Sequence, residues 1–202
     1  MGRWRWLTIR KQAEMAGSYT RQHVRGMLNM VRGIVVGLLW AAASGWAGEF
    51  HVESAGLRSG FHATSDRDDF RQTEAFANWN LPLCWELSAG WAFRSRLDLT
   101  AGWLTGRSET GFVGTAGPAI TLGRRGFPLV LEGGVSPTML NRDTFGSTDL
   151  GCPFQFTLHA GLNWQLGAHF DLSYRYQHMS NAALGDSNPG LNLHMFALGY
   201  RF

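Results

Sequence analysis

The chain has 202 residues, about one domain's worth, and only 16% of them are charged, few for an ordinary water-exposed surface. Its formal charge of +3 is carried by its beginning: seven of the 18 Lys and Arg residues but one of the 15 acidic residues precede position 48, leaving 11 basic against 14 acidic residues, a net −3, beyond it. The basic balance therefore gives no ground for a nucleic-acid partner.

The leading part has the form of an export signal. Arg32 precedes an apolar run from Gly33 to Ala43, followed by the small-residue site Gly45-Trp46-Ala47, the pattern of a secretory signal peptide. The run is too short to cross a bilayer, which takes about 20 apolar residues as a helix. Residues 1–47 are expected to be a cleaved signal peptide with an N-terminal extension, translation starting at Met27 or Met30, and residues 48–202 to form the mature domain. An exported chain permits a disulfide, and whether Cys84 and Cys152 pair is left open.

Beyond the signal there is no helical period. Eight segments of strand length follow, at about 50–58, 70–80, 93–104, 112–122, 127–137, 154–166, 170–180 and 191–202. The third sets Phe93, Leu97, Leu99 and Trp103 against Arg94, Arg96 and Asp98, and the fifth sets Phe127, Leu129 and Leu131 against Glu132. In the sixth, Phe154, Phe156, Leu158, Leu162, Trp164 and Leu166 alternate with Gln155, Thr157, His159, Asn163 and Gln165. Strand side chains alternate, so each such segment has one apolar and one polar face.

A water-soluble barrel would turn the apolar faces inward and scatter Lys and Glu over its surface. Here the polar faces carry Gln, Thr, Asn and a few charges of both signs, while Trp, Tyr and Phe gather near segment ends. That is the inside-out composition of a membrane barrel with aromatic girdles. The expected fold is an all-β, eight-stranded antiparallel transmembrane outer-membrane β-barrel, its lumen filled by Arg94, Arg96, Glu132 and Arg175. Eight strands leave room for side chains and no pore. Short connections, such as GRRG at 123–126 and the turn near Gly167, belong at the periplasmic end, and the long stretches 138–153 and 181–190 outside. The stretch 81–92 is longer than that rule expects.

The last two segments hold the chemistry. Phe170, Leu172, Tyr174 and Tyr176 share the apolar face, which by parity also carries His178 and Ser180, and the facing run puts Asn192 and His194 on the same wall as Phe196, Leu198 and Tyr200. Two residues apart on a strand, His178 and Ser180 have backbones roughly 6.5–7 Å apart, within reach of a base–nucleophile contact. Asn192 is placed to take the other imidazole proton and fix the tautomer. Asn181, Asn188 and the backbone near Gly190 are candidate oxyanion donors. Asp186 reads better as a solvated loop residue than as a substitute acid, and His194 better as an interfacial side chain than as a second base. The spacing of the remaining histidines suggests no metal site.

The stretch His178-Met-Ser180-Asn181-Ala182, with Asn188-Pro189-Gly190 and the closing aromatic strand, resembles the C-terminal motif of the bacterial lipid A 3-O-deacylases, the PagL family. That resemblance implies an eight-stranded outer-membrane barrel hydrolysing the ester-linked acyl chain at position 3 of lipid A, with Ser180 as nucleophile, His178 as base and Asn181 and Asn188 at the oxyanion site. It implies no cofactor. The expected partners are lipid A or lipopolysaccharide as substrate and the lipids of the cell outer membrane, with a homodimer left open. Where the family's triad has a glutamate two residues after the loop glycine, this chain has Asn192. The alternative, from a different class, is a structural or lipid-binding barrel that keeps the motif without catalysis.

Overall fold

Alternation over long runs dictates strands, and strands that cannot leave backbone groups unpaired in lipid must close on themselves. The computed structural model describes residues 51–63 and 69–202, so the expected signal peptide and start sites lie outside the described residues. Eight long strands form the wall: β1 Val52–His62, β2 Arg71–Glu86, β3 Trp91–Gly106, β4 Glu109–Arg124, β5 Leu129–Leu140, β8 Phe154–Leu166, β9 Phe170–Ser180 and β10 Leu191–Arg201. Two short strands, β6 Thr144–Phe145 and β7 Thr148–Asp149, pair as a hairpin within the loop between β5 and β8. Sequential neighbours pair antiparallel around the wall, and β1 closes it against β10, from Ser54 opposite Arg201 to His62 opposite Leu193.

All eight expected segments are strands, and the expected orientation of their faces holds. Leu57, Trp103, Leu158, Trp164, Phe196 and Leu198 project outward and are exposed, whereas Gln72, Glu74, Asp98, Gln155 and Arg175 are buried inside. The wall strands have 11 to 16 residues, at least the ~9–11 needed to span. At the end that carries the C-terminus, the connections 87–90, 125–128 and 167–169 are short. At the other end lie 63–70, 141–153 and 181–190, together with the two-residue turn Arg107–Ser108, whose residues have φ of 47° and 66°. The rule of short periplasmic turns makes the first end periplasmic.

Two details depart from the sequence reading. The stretch 81–92 is no long connection: β2 runs on to Glu86, absorbing Pro82 where its register against β3 shifts between Asn80 and Cys84, so only a single 3-10 turn, Ser88–Gly90, separates the strands. A proline is admissible in a strand at such an irregularity, where its missing N–H breaks no ladder bond. Arg94 does not help fill the lumen; it is exposed and lines a cavity of about 620 Å³ at the periplasmic mouth.

The lumen is layered. In its middle, three cations and three anions are packed together: Arg58 bonds Glu74 at 2.6 Å, Arg96 bonds Asp98 at 2.6 Å and Glu132 at 2.8 Å, and Arg175 reaches Glu132 at 3.2 Å. Nearer the outer mouth the filling is apolar, with Leu104, Val113, Leu140, Met179, Leu191, Leu193 and Met195 meeting Phe70 and Phe145 from the loops. The alternation is inverted there: at the start of β10 the inward face carries Leu191, Leu193 and Met195, and the outward face carries Asn192 and His194. Cys84 lies near the periplasmic end of β2 and Cys152 in the outer loop before β8; both are free thiols, so the disulfide left open above does not form.

Candidate active site

Register puts the candidate residues together. On β9 and β10, His178 stands directly opposite Asn192 and Tyr176 opposite His194, all facing the membrane side of the wall. His178 Nδ1 and Asn192 Oδ1 are 2.7 Å apart. With the amide oxygen as acceptor, Nδ1 carries the proton, which leaves Nε2 unprotonated and able to accept. Ser180, the last residue of β9, is half-buried on the same face and lies opposite Phe156 of β8. Its hydroxyl makes no hydrogen bond among the described residues, leaving it free to rotate toward Nε2; such contacts commonly tighten only when substrate is bound.

Gly190 packs against the imidazole. Its φ is +66°, and a Cβ there would stand 3.0 Å from His178 Cε1, so glycine is required both by the backbone and by the ring beside it. The next turn of loop is tied down from within. Asn181 is fully buried; its Nδ2 donates to Leu150 O at 2.8 Å and Ser187 O at 2.6 Å, and its Oδ1 accepts from Ala183 N at 2.9 Å. The Asn181 side chain is thus committed to the loop, with both amide protons satisfied by carbonyls. Asn188 Oδ1 accepts from Asn181 N at 3.2 Å, while its exposed Nδ2 has no partner among the described residues.

The sequence reading missed the seam between the two outer loops. Ser187 Oγ donates to Asp149 O at 2.9 Å, and Gly151, with φ +87°, lies so close that a Cβ would come 1.9 Å from Ser187 O. The loop 141–153 therefore buttresses the loop that carries the candidate site. The only sequence signal was a glycine and an aspartate in a loop, indistinguishable from ordinary turn residues.

Asp186 is exposed and makes no contact with His178, whose Nδ1 is already occupied by Asn192. His194 belongs to a separate group: its Nδ1 is 2.9 Å from Tyr174 OH, and the rings of Phe61 and Tyr176 lie 5.8 and 5.6 Å from it. That aromatic wall continues downward from the His178 rung into the hydrocarbon region. Among the described residues no three His, Cys, Asp or Glu side chains converge as metal ligands would.

Comparison with known proteins identifies the family and the fold. Residues 73–201 match the family model described as lipid A 3-O-deacylase (PagL). A curated relative, the lipid A deacylase PagL of Bordetella bronchiseptica, is 31% identical over 135 residues, which cover 62% of this chain and 74% of the relative. The crystal structure of the outer membrane enzyme PagL superimposes with a TM-score of 0.65 at 14% identity, over 74% of this chain and 99% of that one; at that identity the likeness speaks for the barrel fold.

Proposed function

Because the chain belongs to the lipid A 3-O-deacylase (PagL) family, and is thereby a hydrolase of the outer membrane, we propose that it removes the 3-O-acyl chain by a serine-esterase mechanism centred on Ser180. Its substrate is an acylated lipid of the outer leaflet, which arrives by lateral diffusion with its ester at the loop-side end of β9. Ser180 Oγ attacks the ester carbonyl while His178 Nε2 takes the hydroxyl proton. Asn192 holds Nδ1–H, so that the ring presents the correct nitrogen throughout. The oxyanion is met by Asn188 Nδ2 and the backbone at Gly190; the part expected of the Asn181 side chain passes to holding the loop, since its amide has no donor left. Protonated His178 then gives its proton to the departing sugar oxygen, and water, activated in the same way, releases the fatty acid from Ser180.

The observation that carries this reading is the 2.7 Å contact between His178 Nδ1 and Asn192 Oδ1 on the lipid-facing wall, two residues before Ser180. A polar pair in that setting needs a purpose, because hydrocarbon offers it no other partner. The test is mass spectrometry of lipid A from cells producing this chain or its Ser180→Ala variant. Loss of one 3-O-linked acyl chain that disappears with Ser180→Ala is the expected result. Deacylation that survives the substitution would remove Ser180 from the mechanism.

A further inference from the structure

The lumen is filled unevenly along its length. Its outer end is packed with apolar side chains and its middle with paired charges, but at the periplasmic mouth an open cavity of about 620 Å³ remains. Cavities of roughly 300–1,000 Å³ suit small organic ligands.

The cavity is basic. Arg94 has the inward parity of Ala92, Arg96 and Asp98 on β3, which are buried, yet it stands in the opening. Arg58, Arg96 and Arg175 each have an acidic partner, whereas the Arg94 guanidinium has no ion pair or hydrogen bond among the described residues. Arg124, at the end of β4, lines the same space, and of its side-chain donors only Nε is used, 3.1 Å from Ala89 O. It stands opposite Trp91, three residues before Arg94, so the two arginine backbones are roughly 11 Å apart. Two arginine side chains together reach farther than that, and both forks can meet on one ligand. Glu86, the acid of this lining, lies on the rim, exposed and 4.0 Å from Arg125. Glu53 and Asp171 line only a smaller recess of about 40 Å³ deeper in, beside Arg96 and Arg201. The mouth therefore offers two cations with no acid of their own.

The rest of the lining selects among anions. Gln165 of β8 adds an amide, while Trp91 and Phe127 supply an apolar side. A bare inorganic anion would leave that side and most of the volume unused. A tetrahedral phosphate presents oxygens to two guanidinium forks at once, and an organic substituent on it would meet the aromatic rings. Aromatic residues at a strand end mark the membrane interface, so a phosphate ester can reach this mouth from the periplasm or as the headgroup of an inner-leaflet phospholipid.

We propose that the periplasmic mouth binds an organic phosphate, its phosphate held by Arg94 and Arg124 and its organic part laid against Trp91 and Phe127. The site lies at the opposite end of the barrel from Ser180, with the charged layer of the lumen between them, so it operates whether or not Ser180 is a nucleophile.

The test is calorimetric titration of the purified outer-membrane protein in dodecyl maltoside micelles, which carry no phosphate. The probes are phenyl phosphate, benzoate, inorganic phosphate, glycerol 3-phosphate and short-chain phosphatidylglycerol, with folding checked by heat-modifiable gel mobility. Phenyl phosphate should bind more tightly than benzoate or inorganic phosphate. Arg94→Gln and Arg124→Gln should each weaken it about tenfold or more, Arg94→Lys should recover part of the loss, and Arg142→Gln, in the outer loops, should change nothing. Failure of every probe to bind, binding indifferent to Arg94→Gln, or an equal loss with Arg142→Gln would overturn the proposal. Benzoate or inorganic phosphate binding as tightly as phenyl phosphate would also overturn it, by removing the preference for an organic phosphate. If Arg94-dependent binding is tighter for phosphatidylglycerol than for glycerol 3-phosphate, the site is supported with a lipid headgroup as its ligand; the reverse order supports it with a soluble ester.

Discussion

Replacing Asn192 with aspartate alters the charge beside His178 and almost nothing else. The two side chains are isosteric, so the acceptor oxygen stays 2.7 Å from Nδ1, and the tautomer is right in both. What changes is the interaction with the imidazolium that forms when Ser180 gives up its proton. A neutral hydrogen bond contributes a net ~1 kcal/mol and one to a charged group about 1.5–3, a difference of about 0.5–2 kcal/mol whose middle is roughly tenfold in rate. The far larger loss, about 10⁴, seen when the acid of a serine protease becomes an amide includes holding the ring in the wrong tautomer, and the contact to Oδ1 removes that component here. Initial rates of fatty-acid release from lipid A in micelles should therefore rise about tenfold in Asn192→Asp, and in Asn192→Glu by a similar factor if the longer side chain finds the same nitrogen. A gain of three or four orders of magnitude would mean that Asn192 does not hold the productive tautomer. An unchanged rate in a folded variant would mean that it does not act on His178.

Three other outcomes are expected. Gly190→Ala introduces a Cβ 3.0 Å from His178 Cε1 at a φ of +66°; the backbone strain of about 1–2 kcal/mol should lower the guanidinium unfolding midpoint by a corresponding amount, and displacement of the imidazole should lower kcat, read by paired activity and guanidinium titrations. Gly151→Ala drives a Cβ into Ser187 O at φ +87°; the seam between the outer loops should open, visible as faster limited proteolysis within 181–190 and reduced activity. Glu132→Ala leaves Arg96 and Arg175 to share Asp98 within the lumen; removing one member of a buried charge group costs about 3–5 kcal/mol, and the unfolding midpoint should fall while the site at the outer rim keeps its geometry.

Much of this protein follows from its sequence because a membrane barrel is a repetitive solution to a local constraint. A period of two over eight segments fixes strands, and a lysine-free polar face opposite an aromatic-ended apolar one fixes which side meets lipid. Parity alone then places His178, Ser180, Asn192 and His194 on one wall. Pro82 misled the reading of β2 because a bulge is a property of two strands, and nothing local to 81–92 announces that its partner will absorb the irregularity.

Contacts between strands and loops are decided only by closure. Whether Asn192 meets His178, Tyr176 or neither depends on hairpin register, which the ten residues 181–190 leave undetermined until the strands pair. The role of Asn181 was set by carbonyls of Leu150 and Ser187, the first from a loop 31 residues away in the chain, and an asparagine beside a serine looks the same in sequence whether its amide faces an oxyanion or a neighbouring loop. Arg71 reads as one more charge at a strand end until the barrel sets it on the lipid side of the wall at the outer end of β2. Alternation is a one-dimensional property and the sequence states it in full; register, loop docking and the spacing of groups around a closed wall are properties of the whole sheet, and come into being only when the last strand pairs with the first.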